Sequence, residues 1–148
     1  MKRHPALLQL SREHHPALVL AKRAQSLADD NLEAAADFAA EIRAVFAAEL
    51  EPHFCIEEER LLPLLKNAGQ AQLVERTLAE HANLRALAVQ IDAGDPASLR
   101  RFGALLAAHV RFEERELFPA AEATLEPEAL AMIDHAPQSA ACRTRTPH

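Results

Sequence analysis

Apolar residues recur along this chain at the spacing of an α-helix, in long stretches set apart by short polar or turn-forming breaks. Residues 1–10 read as an irregular lead-in, with Pro5 early and Leu7, Leu8 and Leu10 available to cover one end of a bundle. Ser11 is a helix-capping residue type, and a first helix is expected from there to about Asp29. Pro16 then falls near enough to its start to be tolerated. Asp29-Asp30-Asn31 is a turn and capping cluster, after which a second helix runs from Leu32 to Lys66, with Pro52 inside it as an expected kink. Asn67-Ala68-Gly69 closes that helix. A third follows over 70–93 and, after Gly94-Asp95-Pro96, a fourth over 97–124. A short helical piece at 128–134 precedes a polar tail, 135–148, that lacks periodicity. The pattern predicts an all-α protein, an up-down-up-down antiparallel four-helix bundle over residues 11–134.

Polar residues interrupt the apolar stripes at matching places. The second helix carries the face Phe46, Leu50, His53, Glu57, Leu61, Leu64, and the fourth carries Phe102, Leu106, His109, Glu113, Leu117, Ala120. His and Glu four residues apart are about 400° apart around the helix, so they share one face. In both copies a second Glu (Glu58, Glu114) follows the first, and a Pro (Pro63, Pro119) stands ten residues after the His. A carboxylate within an apolar stripe is costly unless it is paired or bound to metal. The other half of each hairpin supplies one more inward His. On the third helix this is His81, in line with Val74, Leu78, Leu84, Ala88 and Ile91. On the first helix His14 lies on the apolar face, while the face of His15 carries Ser11, Lys22, Gln25 and Asp29. His15 remains the alternative, because Leu18 follows it by three residues as Leu84 follows His81.

Gathered inside a bundle, His14 (or His15), His53, Glu57, His81, His109 and Glu113 exceed the needs of one tetrahedral zinc site. They suit two ions bridged by carboxylates, and nitrogen with oxygen donors and no thiolate favours iron or manganese. Composition agrees with helices: Gly is scarce at 3 residues, and Trp and Tyr are absent. A formal net charge of −6 argues against nucleic-acid binding. No apolar run reaches bilayer-spanning length and no signal-peptide pattern opens the chain, so a cytoplasmic protein is expected. Cys55 and Cys142 form no disulfide framework, and Cys55 reads as a packing residue. His4, His135 and His148 fall outside the periodic faces and are expected to be solvated.

The succession Glu13-His14, His53-Phe-x-x-Glu57-Glu58, Glu80-His81 and His109-x-x-x-Glu113-Glu114 resembles the hemerythrin-like, HHE cation-binding domain family over residues 11–124. The resemblance implies a four-helix bundle around a non-haem centre of two iron ions with oxo or hydroxo and carboxylate bridges, manganese and zinc being alternatives. It implies His14 (or His15), His53, His81 and His109 as ligands, Glu57 and Glu113 as bridges, and Glu58 or Glu114 as replacements for their neighbours. Oxygen-carrying members place a further His four residues after the third-helix His, where this chain has Arg85, and end in His-x-x-x-x-Asp rather than His-x-x-x-Glu. The expected function is binding or sensing of dioxygen or a related small oxidant. The alternative is an enzyme handling peroxide or nitric oxide, or repairing iron centres under oxidative or nitrosative stress. The expected partner is a small diatomic or a peroxide, with no nucleic acid and no membrane, on a monomer or homodimer.

Overall fold

A computed structural model describes residues 3–91 and 95–135 of the chain. The expected tail beyond His135, with Cys142 and His148, and most of the turn after the third helix lie outside the described residues. The described residues are helical throughout, apart from turns. The first rod is α1 (Pro5–Gln25). The second (32–67) is built from α2 (Leu32–Val45), α3 (Glu51–Ile56) and α4 (Leu62–Asn67), joined by two π turns. The third is α5 (Ala71–Gln90). The fourth (96–124) comprises α6 (Pro96–Phe112) and α7 (Phe118–Thr124) around another π turn. A short α8 (Pro127–His135) follows.

Contacts between the rods fix their direction. Arg23 pairs with Glu41 and His53 with Glu13, so the first two rods run antiparallel. Arg85 meets Glu51 while His81 meets Glu58, and Arg76 meets Glu116 while Glu80 meets His109, so the third rod opposes both the second and the fourth. Between the first and fourth rods the backbones come close at Gly103. A Cβ there would sit 2.6 Å from the Ala21 carbonyl oxygen and 2.8 Å from the Ala24 Cβ. Only glycine permits that crossing.

Local sequence explains the helix ends. The first helix begins at Pro5, not at Ser11, which corrects the expected irregular lead-in. His4, expected to be solvated, caps it: its Nδ1 accepts the Ala6 N–H at 3.0 Å, and Pro5 occupies the first helical position, where a missing N–H costs nothing. Pro16 therefore lies well inside the helix rather than in its first turns. Asn31 accepts the Ala34 N–H at 3.0 Å and opens α2 as its residue type suggests. Gly69 at φ 88° ends α4, with the Gln70 N–H bonded to the Leu65 carbonyl and the Gly69 N–H to that of Lys66. This is a Schellman closure, which favours glycine.

The π turns are the main departure from the sequence pattern. They span Phe46–Leu50, Glu57–Leu61 and Glu113–Leu117. Each closes through an N–H reaching five residues back, from Glu51 to Phe46, Leu62 to Glu57 and Phe118 to Glu113. The next residue is Pro in all three cases: Pro52, Pro63 and Pro119. Proline has no N–H to donate and crowds the carbonyl four residues back, and widening the preceding turn makes room. The extra residue per turn moves the inward register by one. Leu65 and Ala121 are wholly buried, whereas Leu64 and Ala120, the expected inward residues, are only partly so.

Two apolar clusters fill the bundle. One includes Ala17, Leu20, Ile42, Phe46, Phe54, Leu84, Phe102 and Leu106, and the other Leu7, Leu10, Leu61, Leu65, Val74, Leu117, Phe118 and Ile133. Every inward His and Glu of the sequence pattern lies between them, so the site is one polar layer sandwiched by two apolar ones. Cys55 is buried in the second rod, in keeping with its reading as a packing residue.

Candidate metal centre

Four imidazoles and two carboxylates converge in that polar layer. His14, His53, Glu57, His81, His109 and Glu113 are all buried, with Glu57, His81 and Glu113 at 0 % exposure. His15 is at the surface. The helical arc that carries Leu10 and Ala17 inward carries His14 with them and turns His15 out.

The Nε2 atoms face inward, towards the two carboxylates. Glu57 Oε2 lies 3.2 Å from His53 Nε2, and its Oε1 lies 3.1 Å from His81 Nε2. Glu113 Oε1 lies 2.9 Å from His14 Nε2, and its Oε2 lies 3.1 Å from His109 Nε2. Each carboxylate thus spans two pairs of histidines. The donor atoms form two four-residue groups, His14–His53–Glu57–Glu113 and Glu57–His81–His109–Glu113, with atoms in each lying within 4.8 Å of one another.

The Nδ1 atoms face outward, and each meets another carboxylate. Glu114 Oε2 is 2.7 Å from His14 Nδ1, and Glu13 Oε1 is 2.8 Å from His53 Nδ1. Glu58 Oε2 is 2.7 Å from His81 Nδ1, and Glu80 Oε1 is 2.7 Å from His109 Nδ1. A carboxylate on Nδ1 holds the Nδ1–H tautomer and aims the Nε2 lone pair inward, the orientation a metal-ligating His needs. Glu58 and Glu114 therefore stand behind the imidazoles, on the side away from Glu57 and Glu113. Glu13 and Glu80 were visible in the sequence only as the residues before His14 and His81. Each serves the histidine of a neighbouring rod, a pairing set by helix packing. Their repeated placement before a lone inward His was the available signal.

Outside the carboxylates lies a further set of partners. Arg85 bonds Glu51 at 2.7 Å and Glu58 at 2.8 Å. Arg3 and Ser11 bond Glu114 at 3.2 and 3.0 Å. Arg76 bonds Glu80 at 3.0 Å and Gln9 bonds Glu13 at 3.1 Å. Aromatic rings fix the imidazole planes: Phe54 stacks on His81 at 4.0 Å and Phe118 on His14 at 5.4 Å.

Protonation follows from these contacts. Burial disfavours the imidazolium form of His81, but the carboxylates of Glu113, Glu57 and Glu58 more than offset it and push its pKa up to about 11. His109 is likewise lifted to about 9, with burial opposing and Glu113 and Glu80 prevailing. His14 is raised and His53 raised well above the usual value, for the same reason. Burial alone would raise Glu113, yet the surrounding imidazoles hold it well below the ordinary carboxylate range.

The inner contacts are nonetheless incomplete. Nε2 of His53, His81 and His109, both oxygens of Glu57 and Oε2 of Glu113 are buried and lack a hydrogen bond of proper geometry. Leaving buried polar atoms unsatisfied costs roughly 1–3 kcal/mol each, so such a group points to a missing common partner. Nitrogen and oxygen donors aimed at shared points fit divalent cations.

A comparison with protein families finds the hemerythrin HHE cation binding domain across residues 6–121. The chain belongs to the hemerythrin HHE cation-binding family. Comparison with curated proteins and with solved structures finds no match. Metal-cation binding is what the family and the buried His/Glu groups jointly indicate. Among the described residues, no helix is long and apolar enough to cross a membrane.

Beside the centre lies a cavity of about 190 Å³ between the first, second and fourth rods, lined by His14, His53 and His109, by Glu13 and Glu49, and by apolar residues. His81 does not border it.

Proposed function

We propose that this protein binds two iron ions and uses them to bind or sense dioxygen or a related small oxidant. The observation that carries the reading is the pair of overlapping donor groups that share Glu57 and Glu113. His14 and His53 would hold one ion and His81 and His109 the other, with the two glutamates joining them. Iron in such a nitrogen–oxygen setting supplies a reversible one-electron couple at each ion and affinity for small diatomic molecules.

The chain's own groups prepare that chemistry. Glu13, Glu58, Glu80 and Glu114 orient the imidazoles and keep the tautomer that ligation requires. The apolar clusters above and below exclude water, which strengthens the hold of the carboxylates on a cation. The cavity gives a small molecule a way to the His14–His53 side.

The alternative is an enzyme that handles peroxide or nitric oxide, or repairs iron centres. Arg85 favours it: with an ion-paired Arg where oxygen carriers have a further His, each half of the centre has two imidazoles. Turnover separates the two readings, since a sensor binds stoichiometrically and an enzyme consumes substrate.

The deciding experiment is metal analysis with an optical spectrum, on protein purified with iron supplied, before and after exposure to air. Two irons per chain and an oxygen-responsive spectrum are expected. A colourless protein that takes up no iron and gains no stability from it would overturn the proposal.

A further inference from the structure

Charge is spread unevenly over the bundle. The chain carries a formal net charge of −6, yet the outer face shared by α1 and the fourth rod is basic. Arg12 and Lys22 on α1 and Arg101, Arg111 and Arg115 on the fourth rod are exposed, as is His15. Among the described residues these five cations make no ion pair, whereas Arg3, Arg23, Arg76, Arg85 and Arg100 all do. The acids of the two rods are engaged elsewhere: Glu13 bonds His53, Glu113 and Glu114 bond His14, Glu116 bonds Arg76 and Glu122 bonds Arg3. Between the cations along each rod the face is apolar, with Leu18 and Val19 37 % and 48 % exposed on α1 and Ala104 and Ala108 exposed on the fourth rod. At about 1.5 Å per residue, Arg101 to Arg115 spans roughly 20 Å, the scale of a contact with another macromolecule.

An apolar middle within a charged rim is the layout of a protein–protein contact. A nucleic acid would set phosphates against exposed Leu18 and Val19. Two copies of this chain joined by a twofold axis through this face would bring like charges together, which opposes association. We infer that the face docks an acidic protein that carries one electron. The inference rests on the iron reading above and names a partner for the same centre. The centre lies directly beneath: His15 adjoins His14, and Glu114, its side chain 30 % exposed, bonds His14 Nδ1 at 2.7 Å. A small oxidant leaves iron in the ferric form, and each ferric ion needs one electron from outside to become ferrous again. A docked carrier gives up that electron and is itself oxidised, so two carriers restore the pair.

The probe is a plant-type ferredoxin, a small acidic one-electron carrier, used with the full chain. Titration calorimetry of oxidised ferredoxin against the metal-free protein reads docking. Stopped-flow mixing of reduced ferredoxin with the ferric, iron-loaded protein reads electron delivery. Docking should be measurable at about 50 mM salt and largely lost by about 500 mM, because exposed charges are screened. Arg111→Glu should weaken docking and slow reduction by about fivefold, the range of an exposed ion pair, with thermal stability unchanged. Val19→Asp, which puts an acid into the apolar middle, should act in the same direction. Lys66→Glu makes the same charge change at an exposed, unpaired cation outside the face and should leave both readouts within about twofold. Equal effects of Arg111→Glu and Lys66→Glu, docking indifferent to salt, or no docking would each overturn the inference. So would a DNA duplex that binds more tightly than the ferredoxin, or self-association of the chain that Arg111→Glu abolishes. Iron content measured on the same samples keeps the two readings apart. Iron uptake without docking sinks the docking face alone, whereas docking without iron uptake sinks the iron reading and the electron transfer with it.

Discussion

His14 and His53 border the cavity directly, whereas of the opposite pair only His109 does, and His81 is wholly buried with Phe54 stacked 4.0 Å from it. Beyond His81, Arg85 ties Glu51 and Glu58 into a partly buried cluster. The donors of the two halves correspond residue for residue, and so do the carboxylates behind them. The difference lies in two departures from the internal repeat. The first copy of the motif has Pro52 just before its His, where the second copy has Ala108. Pro52 is accompanied by the additional π turn at Phe46–Leu50, and Val45, Ala48, Glu49, Leu50 and Pro52 line the cavity. The other departure is Arg85, which closes the far side. A repeated ligand set can thus keep symmetric donors while access is decided by a proline and an arginine.

That comparison can be broken most severely at the shared carboxylate. Glu113→Ala should remove a donor from both halves, so on the proposed two-iron reading the iron content should fall to one per chain or fewer. The metal-free variant should also lose about 3 kcal/mol of stability in urea unfolding, because four buried imidazoles lose a counter-charge. Retention of two tightly bound irons would show that Glu113 does not join the halves.

Arg85→Met tests the closed side alone. It takes a cation from buried Glu51 and half-buried Glu58, and should destabilise the metal-free protein by about 2 kcal/mol. It should also weaken the ion held by His81 and His109 more than the other, seen as a biphasic metal titration. Equal weakening of both ions would mean that Arg85 acts on the whole bundle and does not close one side.

Acid and base should act in opposite directions on the metal-free and loaded forms. In the metal-free protein, His81 and His109 have pKa values raised to about 11 and about 9. Their stabilisation is fully present below the unfolded value near 6.5 and is lost as pH rises through about 9 and then about 11. Glu58, held down to about 2 by His81 and Arg85 against the effect of burial, stabilises above its ordinary 4.5 and loses that contribution as pH falls towards 2. Thermal unfolding of the metal-free protein should therefore show its maximum in mildly acidic buffer. Iron must displace the imidazole protons, so its apparent affinity should instead rise between pH 6 and 9, by about tenfold per pH unit for each proton released. Affinity independent of pH over that range would show that protons do not occupy the centre.

The smallest expected effect is that of Pro52→Ala. Restoring an N–H at that position lets the Phe46–Leu50 turn tighten, with a stability change within about 1 kcal/mol. The cavity should shrink, read as slower quenching of the iron spectrum by an added small ligand. An unchanged rate would detach the access route from the proline.

The helices and the inward histidines were legible because burial imposes a 3.6-residue period that survives without knowledge of the fold. His14 against His15 could be argued from the same period, and the structure puts His14 inside. What lay beyond that period was harder to read. The start of α1 was obscured because His4 is rarely a cap, and its capping by Nδ1 appears only with the coordinates. The π turns each break the period by one residue, which is why Leu64 and Ala120 were expected where Leu65 and Ala121 sit. The bond of Glu13 to His53 and of Glu80 to His109 depends on which rods touch, and no single-helix pattern contains that.

A π turn is a helix with one residue too many, and this gives the chain a kind of reading frame. Deleting the exposed Arg115 would let the turn heal into ordinary α-helix and leave Phe118 and Ala121 on their inward faces, because the surplus residue is what shifts the register by one. A deletion early in α5, which has no surplus residue, would instead turn His81 about 100° off its inward face. Within the rods, single-residue deletions should therefore be tolerated better at these three turns than in the regular helical stretches.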